Sequence, residues 1–326
     1  HMLFFLDEAG FTFTPDALEA DAVVINTCAF IDEAKQEAID QILEMCALKN
    51  DEGSQLKAVI VAGCLAERYK EELYKEIPEI DGIVTSSSLS KVVDTVKDAL
   101  EGKRPLYAGD KNAPLQEMGR VMTTPSYTAF VKISEGCDHR CSYCTIPSIR
   151  GKMRSRKKED ILAEFKALVD GGAKELIIIA QDITRYGADL YGKPCLAELV
   201  REICELPVEW VRLHYMNPDG FTEELIETVA SEPKVLKYLD IPIQHVSDSV
   251  LKRMHRAYKG DDVRALFRKL RERIPGLVLR TSLIVGFPGE TEEDFEELCE
   301  FLKEFKIERA GVFAFSPQEE TVAAAL

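Results

Sequence analysis

Apolar residues in this chain fall into short unbroken runs, and between the runs they recur every three to four positions. The runs at 21–28, 57–64 and 82–85 read as buried strands, and the stretches 31–48, 65–75 and 89–100 that follow them read as amphipathic helices. Strands that are apolar throughout, without alternation, predict a parallel sheet covered by helices on both faces. The pattern breaks over 103–125, where Pro105, Gly109, Pro114, Gly119 and Pro125 predict a linker. It resumes at 127–134 and continues with strands at 175–180, 210–215, 238–243, 278–285 and 310–315, separated by helices such as 159–169 and 292–305. Six β/α units of this kind predict a curved partial barrel, whose chemistry gathers at the C-terminal ends of the strands. The expected fold is therefore α/β: a parallel sheet domain over 3–104, a linker over 105–125 and a partial (β/α)6 barrel over 126–326. His1-Met2 reads as a vector remnant and takes no part in this assignment.

Composition narrows the class. With 326 residues, 46% of them hydrophobic, the chain can bury one large core or two ordinary ones. No run approaches the roughly 18 consecutive apolar residues of a membrane span, and no basic-then-apolar leader opens the chain, so the expected location is cytoplasmic. In that reducing compartment nine cysteines suggest metal binding before disulfides. The net charge of −16 is uneven, with 10 Lys and Arg against 21 Asp and Glu in residues 1–104. An acidic surface disfavours a phosphate backbone and favours a basic partner, although ordinary solubility accounts for it equally well. The opposite patch, Arg150, Lys152, Arg154, Arg156, Lys157 and Lys158, reads as a solvated helix entry or as a place to hold an anion.

The chemistry concentrates at Glu-Gly-Cys-Asp-His-Arg-Cys-Ser-Tyr-Cys, residues 135–144. Cys137, Cys141 and Cys144 offer three thiolates from one loop, which suits a [4Fe–4S] cubane with one open iron better than a four-ligand zinc site. This loop follows the first strand of the barrel series, where strand-end chemistry is expected. Cys28 and Cys64 each close an apolar strand, so parallel packing predicts both at one sheet edge, as ligands or as buried structural thiols. Cys46, Cys204 and Cys299 share helical faces with apolar residues and read as small hydrophobes, while Cys195 is unassigned. Other barrel strands end in polar groups: Gln181-Asp182, Arg212 and His214, Gln244-His245, and Gly286-Phe-Pro-Gly-Glu290. Each of these alone could be a satisfied core group.

The cysteine loop, with Tyr143 directly before its third cysteine, resembles that of the radical S-adenosylmethionine (SAM) enzymes. Together with Asn26-Thr-Cys28, Ala62-Gly-Cys64, Ile146-Pro-Ser-Ile-Arg-Gly151 and Arg280 to Asp294, it resembles the methylthiotransferase family of those enzymes over nearly the whole chain. Gln181-Asp182 is similar to the branch that modifies an aspartate of a small-subunit ribosomal protein; the tRNA-modifying branch usually has Gln-Asn there. The resemblance implies an enzyme that uses a [4Fe–4S] cluster on Cys137, Cys141 and Cys144 to cleave SAM reductively. The resulting radical would take hydrogen from the aspartate β-carbon, and an external electron donor would supply the reduction. It further implies a second [4Fe–4S] cluster in the N-terminal domain of the complete protein, delivering sulfur and held by Cys28, Cys64 and a third cysteine ahead of Cys28. The first β/α unit that would carry this cysteine, and a C-terminal all-β substrate-binding module, lie outside residues 1–326. Tyr143, Gln181, Arg212 and Gln244 are the expected SAM contacts. The expected partner is a basic small-subunit ribosomal protein. The alternatives are a tRNA adenosine and, from another class, a non-catalytic iron–sulfur or electron-transfer protein.

Overall fold

The apolar runs become parallel strands throughout. In the computed structural model, which describes residues 1–326, the chain divides into two units: His1–Val121 with Thr145–Lys152, and Met122–Cys144 with Met153–Leu326. The first unit holds strands β1 (Ala22–Thr27), β2 (Ala58–Gly63), β3 (Gly82–Thr85) and β4 (Leu106–Tyr107), parallel and in that order across the sheet. The short β4 falls within the stretch expected to be a linker. Alternate residues of β2 divide the core. Val59 and Val61 pack with Ala38, Ile42 and Cys46 of the helix Asp32–Leu48, while Ala58 and Ile60 pack with Val92, Val96 and Leu6. Leu6 belongs to a helix at Met2–Glu8, with Met2 against the same core. The helix expected over 65–75 is two helices, Cys64–Tyr69 and Glu71–Glu76, because Lys70 between them takes a left-handed φ of +43°.

The second unit opens with β5 (Thr128–Lys132) and a two-residue antiparallel pair, β6 (Ser134–Glu135) with β7 (Arg154–Ser155). β8 (Glu175–Ile179), β9 (Trp210–Leu213), β10 (Val235–Asp240), β11 (Val278–Val285) and β12 (Arg309–Ala314) then extend β5 into a six-stranded sheet. Its pairings are all parallel, and its order follows the chain from β5 to β12 without the two ends meeting. That is an open, partial barrel. One set of alternating residues, including Val131, Ile178, Leu213, Leu239 and Leu283, packs against the covering helices through Phe165, Val200, Ile226, Phe267 and Phe301. The opposite set carries Lys132, Glu175, Arg212, Tyr238, Asp240 and Arg280, the polar lining of the uncovered face. The last long helix starts at Glu292, as its pattern requires, because the Thr291 hydroxyl and the Asp294 carboxylate cap each other's backbone N–H. No helix in the chain is long and apolar enough to cross a membrane.

Candidate active site

At the C-terminal edge of the barrel sheet, β5 runs through Ile133 and β6 into the cysteine loop, which has no helix or strand over 136–145. The loop is held by bonds to its neighbours. Ser142 in its middle donates N–H to Met254 O (3.1 Å) and its hydroxyl to Arg253 O (2.7 Å). His139 Nε2 lies 2.8 Å from Asp182 Oδ2 and 3.0 Å from Asn217 Nδ2, reaching the ends of β8 and β9 together. Asn217 Oδ1 is buried without a partner, and exchanging the amide's O and N lets Nε2–H donate to both acceptors. Asp182 is further fixed by the backbone N–H and hydroxyl of Thr184 (2.9 and 2.6 Å). Burial alone would raise its pKa, but the bonds from His139 and Thr184 outweigh it and hold the carboxyl below its ordinary range.

Cys137, Cys141 and Cys144 are all partly exposed on this loop, and no disulfide joins any pair of the nine cysteines. Burial pushes the Cys137 thiol up to about 11, so at neutral pH it keeps its proton unless a metal displaces it. No three His, Cys, Asp or Glu side chains converge on one ion-sized point, whereas a cubane takes each thiolate on a different iron. Around the loop, buried polar atoms lack hydrogen-bond partners at successive strand ends: Ser134 Oγ after β5, Gln181 Oε1 after β8 and His214 Nε2 after β9, while His245 Nε2 after β10 faces the Glu290 carboxylate at 3.5 Å. Buried orphans of this kind call for a polar ligand or ordered water. Three soft thiolates beside a ring of unfilled hydrogen-bonding groups fit an iron–sulfur group with a polar organic ligand.

The expected SAM contacts fare differently. Gln181 donates to Glu135 Oε1 (2.9 Å), which also accepts from Gly136 N (3.2 Å), so it borders the cysteine loop. Tyr143 meets Phe287 edge-on at 6.3 Å, within a small apolar cluster of Val250, Met254 and Phe287 that joins the loop to the Gly-Phe-Pro-Gly-Glu turn. Gln244 takes a left-handed φ of +67° and bridges its backbone to β11. Arg212 is not brought to the loop. Its Nε donates to Glu175 Oε1 at 2.6 Å, and its guanidinium lies 5.0 Å from the Tyr238 ring, toward the start of β8. The basic run after the loop is divided too. Arg156 pairs with Glu164, and Lys158 with Glu198 and Glu202.

In the first unit Thr27 is in register with Gly63, so Cys28 and Cys64 follow on adjacent strands at one sheet edge. A Cβ on Gly63 (φ +97°) would stand 2.7 Å from Thr27 O, so only glycine permits this approach. Arg150 of the Ile-Pro-Ser-Ile-Arg-Gly segment donates to Cys64 Sγ at 3.0 Å. Cys46 and Cys204 are buried, each thiol pushed by burial up to about 11, which suits inert packing. Cys195 is buried and donates to Lys193 O.

A radical SAM superfamily model matches residues 131–302, and a second family, described only as the uncharacterized protein family UPF0004, matches residues 1–85. Ribosomal protein uS12 methylthiotransferase RimO from Desulforamulus reducens is 49% identical over 99% of this chain, which spans 73% of that protein. The proteins of the same name from Myxococcus xanthus and Geobacter sulfurreducens are 48% and 49% identical over 99% of this chain, covering 67% and 72% of their lengths. The chain belongs to the uS12 methylthiotransferase family of radical SAM proteins. Solved structures share the fold. The radical SAM methyltransferase TsrM from Kitasatospora setae aligns with a TM-score of 0.65 at 16% identity, over 92% of this chain and 66% of that one. The cobalamin-dependent radical enzyme OxsB gives 0.58 at 14% identity, over 93% and 46%. Membership in the methylthiotransferase family implies a [4Fe–4S] cluster and SAM as cofactors. The pattern reading missed His139, Asn217 and Arg256 (described below). His139 stands inside the motif, but nothing in the pattern marks Arg256.

Proposed function

We propose that this protein transfers a methylthio group to the β-carbon of an aspartate in ribosomal protein uS12. The observation that carries the reading is the three-thiol loop, pinned by His139 and Ser142 at the strand-end edge of a partial barrel, in a chain half identical to uS12 methylthiotransferases. Cys137, Cys141 and Cys144 would hold a [4Fe–4S] cluster, whose chemistry would be one-electron reductive cleavage of SAM to a radical able to break an unactivated C–H bond. The protein's own part is placement. Ser142 and His139 fix the loop, Gln181 and Gln244 offer amides to SAM, and Tyr143 with Phe287 walls the loop with apolar surface. Arg212 would have to exchange Glu175 for the SAM carboxylate.

Cys28 and Cys64, with Arg150 bonded to Cys64, are our choice for the edge that holds a second, sulfur-delivering cluster in the complete protein. An external donor supplies electrons. A chain of net charge −16 suits a basic ribosomal protein better than the phosphate backbone of tRNA. The test is an anaerobic reaction of the complete, reconstituted protein with SAM, reductant, uS12 and tRNA, followed by mass spectrometry. Methylthiolated uS12 is expected. Modified tRNA beside unmodified uS12 would overturn the substrate, and absence of 5′-deoxyadenosine would leave an electron-transfer protein.

A further inference from the structure

The helix Asp248–Arg253 ends in a reversal that aims one cation at the cysteine loop. His255 takes a left-handed φ of +56°, its N–H bonds to Lys252 O (3.1 Å), and Arg256 N–H reaches back to Leu251 O (2.9 Å). This is the paired-bond helix end that usually carries glycine at the left-handed position. A β-carbon there is strained, and such outliers gather at functional places. The same turn supplies the two carbonyls, Arg253 O and Met254 O, that grip Ser142. The turn therefore fixes Arg256 and the loop residue beside Cys141 as one piece.

Three hydrogen bonds anchor the Arg256 guanidinium. Nε donates to Tyr258 Oη (2.7 Å), Nη2 to Pro242 O (3.0 Å) and Nη1 to Cys141 Sγ (3.2 Å), with its carbon 4.9 Å from the Tyr258 ring. Tyr258 is itself held, donating to Ile243 O at 2.9 Å. None of the three acceptors is a carboxylate. A partly buried cation satisfied only by a phenol, a carbonyl and a thiol lacks a counter-charge, and removing a charge from water without one is costly. A metal group on Cys141 would supply it, because thiolates outweigh the charge of the cubane they hold.

We propose that Arg256 is a positioning residue that serves as the fixed counter-charge of the cluster on Cys137, Cys141 and Cys144, donating an N–H to the Cys141 sulfur and raising the cluster's reduction potential. The inference rests on the reading of those cysteines as cluster ligands. Net charge and hydrogen bonds to sulfur are the levers by which a protein sets such potentials, and Arg256 supplies both at one ligand. Both act in the same direction, favouring the reduced, more negative cluster.

The experiment compares reconstituted wild type, Arg256→Lys and Arg256→Gln without SAM. Iron and sulfide content and the visible spectrum come first, and a wild type that holds no cluster on the loop defeats the ligand reading itself. A potentiometric titration read by electron paramagnetic resonance then tests Arg256. The expected result is a reduction equilibrium about tenfold less favourable in Arg256→Gln, roughly 59 mV for a one-electron couple, with Arg256→Lys between it and wild type. A wild-type midpoint in Arg256→Gln overturns the proposal. So does an unchanged midpoint together with weaker SAM binding in a separate titration of the same loaded proteins with SAM, which would make Arg256 a ligand for SAM. If Arg256→Gln fails to load, Arg256→Lys decides by the same criterion.

Discussion

In the second unit three thiols come from eight consecutive residues, 137–144, whereas in the first two thiols come from strand ends far apart in sequence and adjacent in the sheet. The loop thiols owe their proximity to chain connectivity, and the fold only has to aim the loop, which His139 and Ser142 do. The strand-end thiols owe theirs to the register of β1 on β2, and hence to everything that sets that register. Gly63 is the clearest case, since its missing side chain lets the end of β2 approach Thr27 O. A local arrangement tolerates distant change and fails at its own residues. An arrangement built by a sheet should be lost through residues that never touch a ligand.

The largest effect should come from the loop itself. Cys141→Ala should reduce 5′-deoxyadenosine formation to background, because one thiolate fewer leaves a second iron without a protein ligand. Wild-type yield from this variant would remove the loop from the comparison. Gly63→Ala should destabilise the chain by about 2–3 kcal/mol in urea unfolding, from combined left-handed strain and backbone overlap. SAM cleavage by the loop should persist under conditions where the variant remains folded. An unchanged urea midpoint would show that the β1–β2 edge adapts, and that its thiols are no more fold-dependent than those of the loop.

The smallest effect separates the barrel's strand ends from the first unit, which has no histidine besides His1. Burial holds the imidazoles of His214 and His245 below their ordinary range, against the opposing pull of Asp240 on His214 and of Glu290 on His245. Both therefore bind protons more weakly folded than unfolded, and unfolding takes up protons once the pH falls toward and below about 6.5. Stability should be fully present above that pH and decline below it, with a slope of at most about 1.4 kcal/mol per pH unit for each histidine. Urea midpoints from pH 7.5 to 5.5 would show the slope, and His245→Asn should flatten it. A slope that the substitution does not change would place the acid sensitivity elsewhere.

Much of this architecture was legible where local pattern and local capping agree. β11 and the helix Glu292–Phe305 stand at their expected residues, because Pro275-Gly276 and Gly286 bracket the strand and a capping box marks the start of the helix. The cysteine loop was legible for the same reason, its ligands and spacing lying in one stretch of sequence. The break at Lys70 was not, since a left-handed lysine between two helical stretches leaves their apolar periodicity intact. The pair β6–β7 was too short to carry a period. Arg256 illustrates the wider limit. Its importance lies in a bond to Cys141, 115 residues away, and an arginine in a turn announces nothing about its partner.

The excursion of the chain at Thr145–Lys152 also bears on how the protein is made. Those eight residues count with the first unit, where Ile149 is buried in the core beside Ile42 and Leu65 and Arg150 reaches Cys64. The N-terminal unit is thus unfinished when its main segment, ending at Val121, has left the ribosome. It must wait for residues 122–152, about 2–6 s at ordinary synthesis rates of 5–20 residues per second. During that interval the opening of the second unit emerges, carrying the cysteine loop. Translation therefore delivers all five candidate cluster thiols before either unit has its complete sequence.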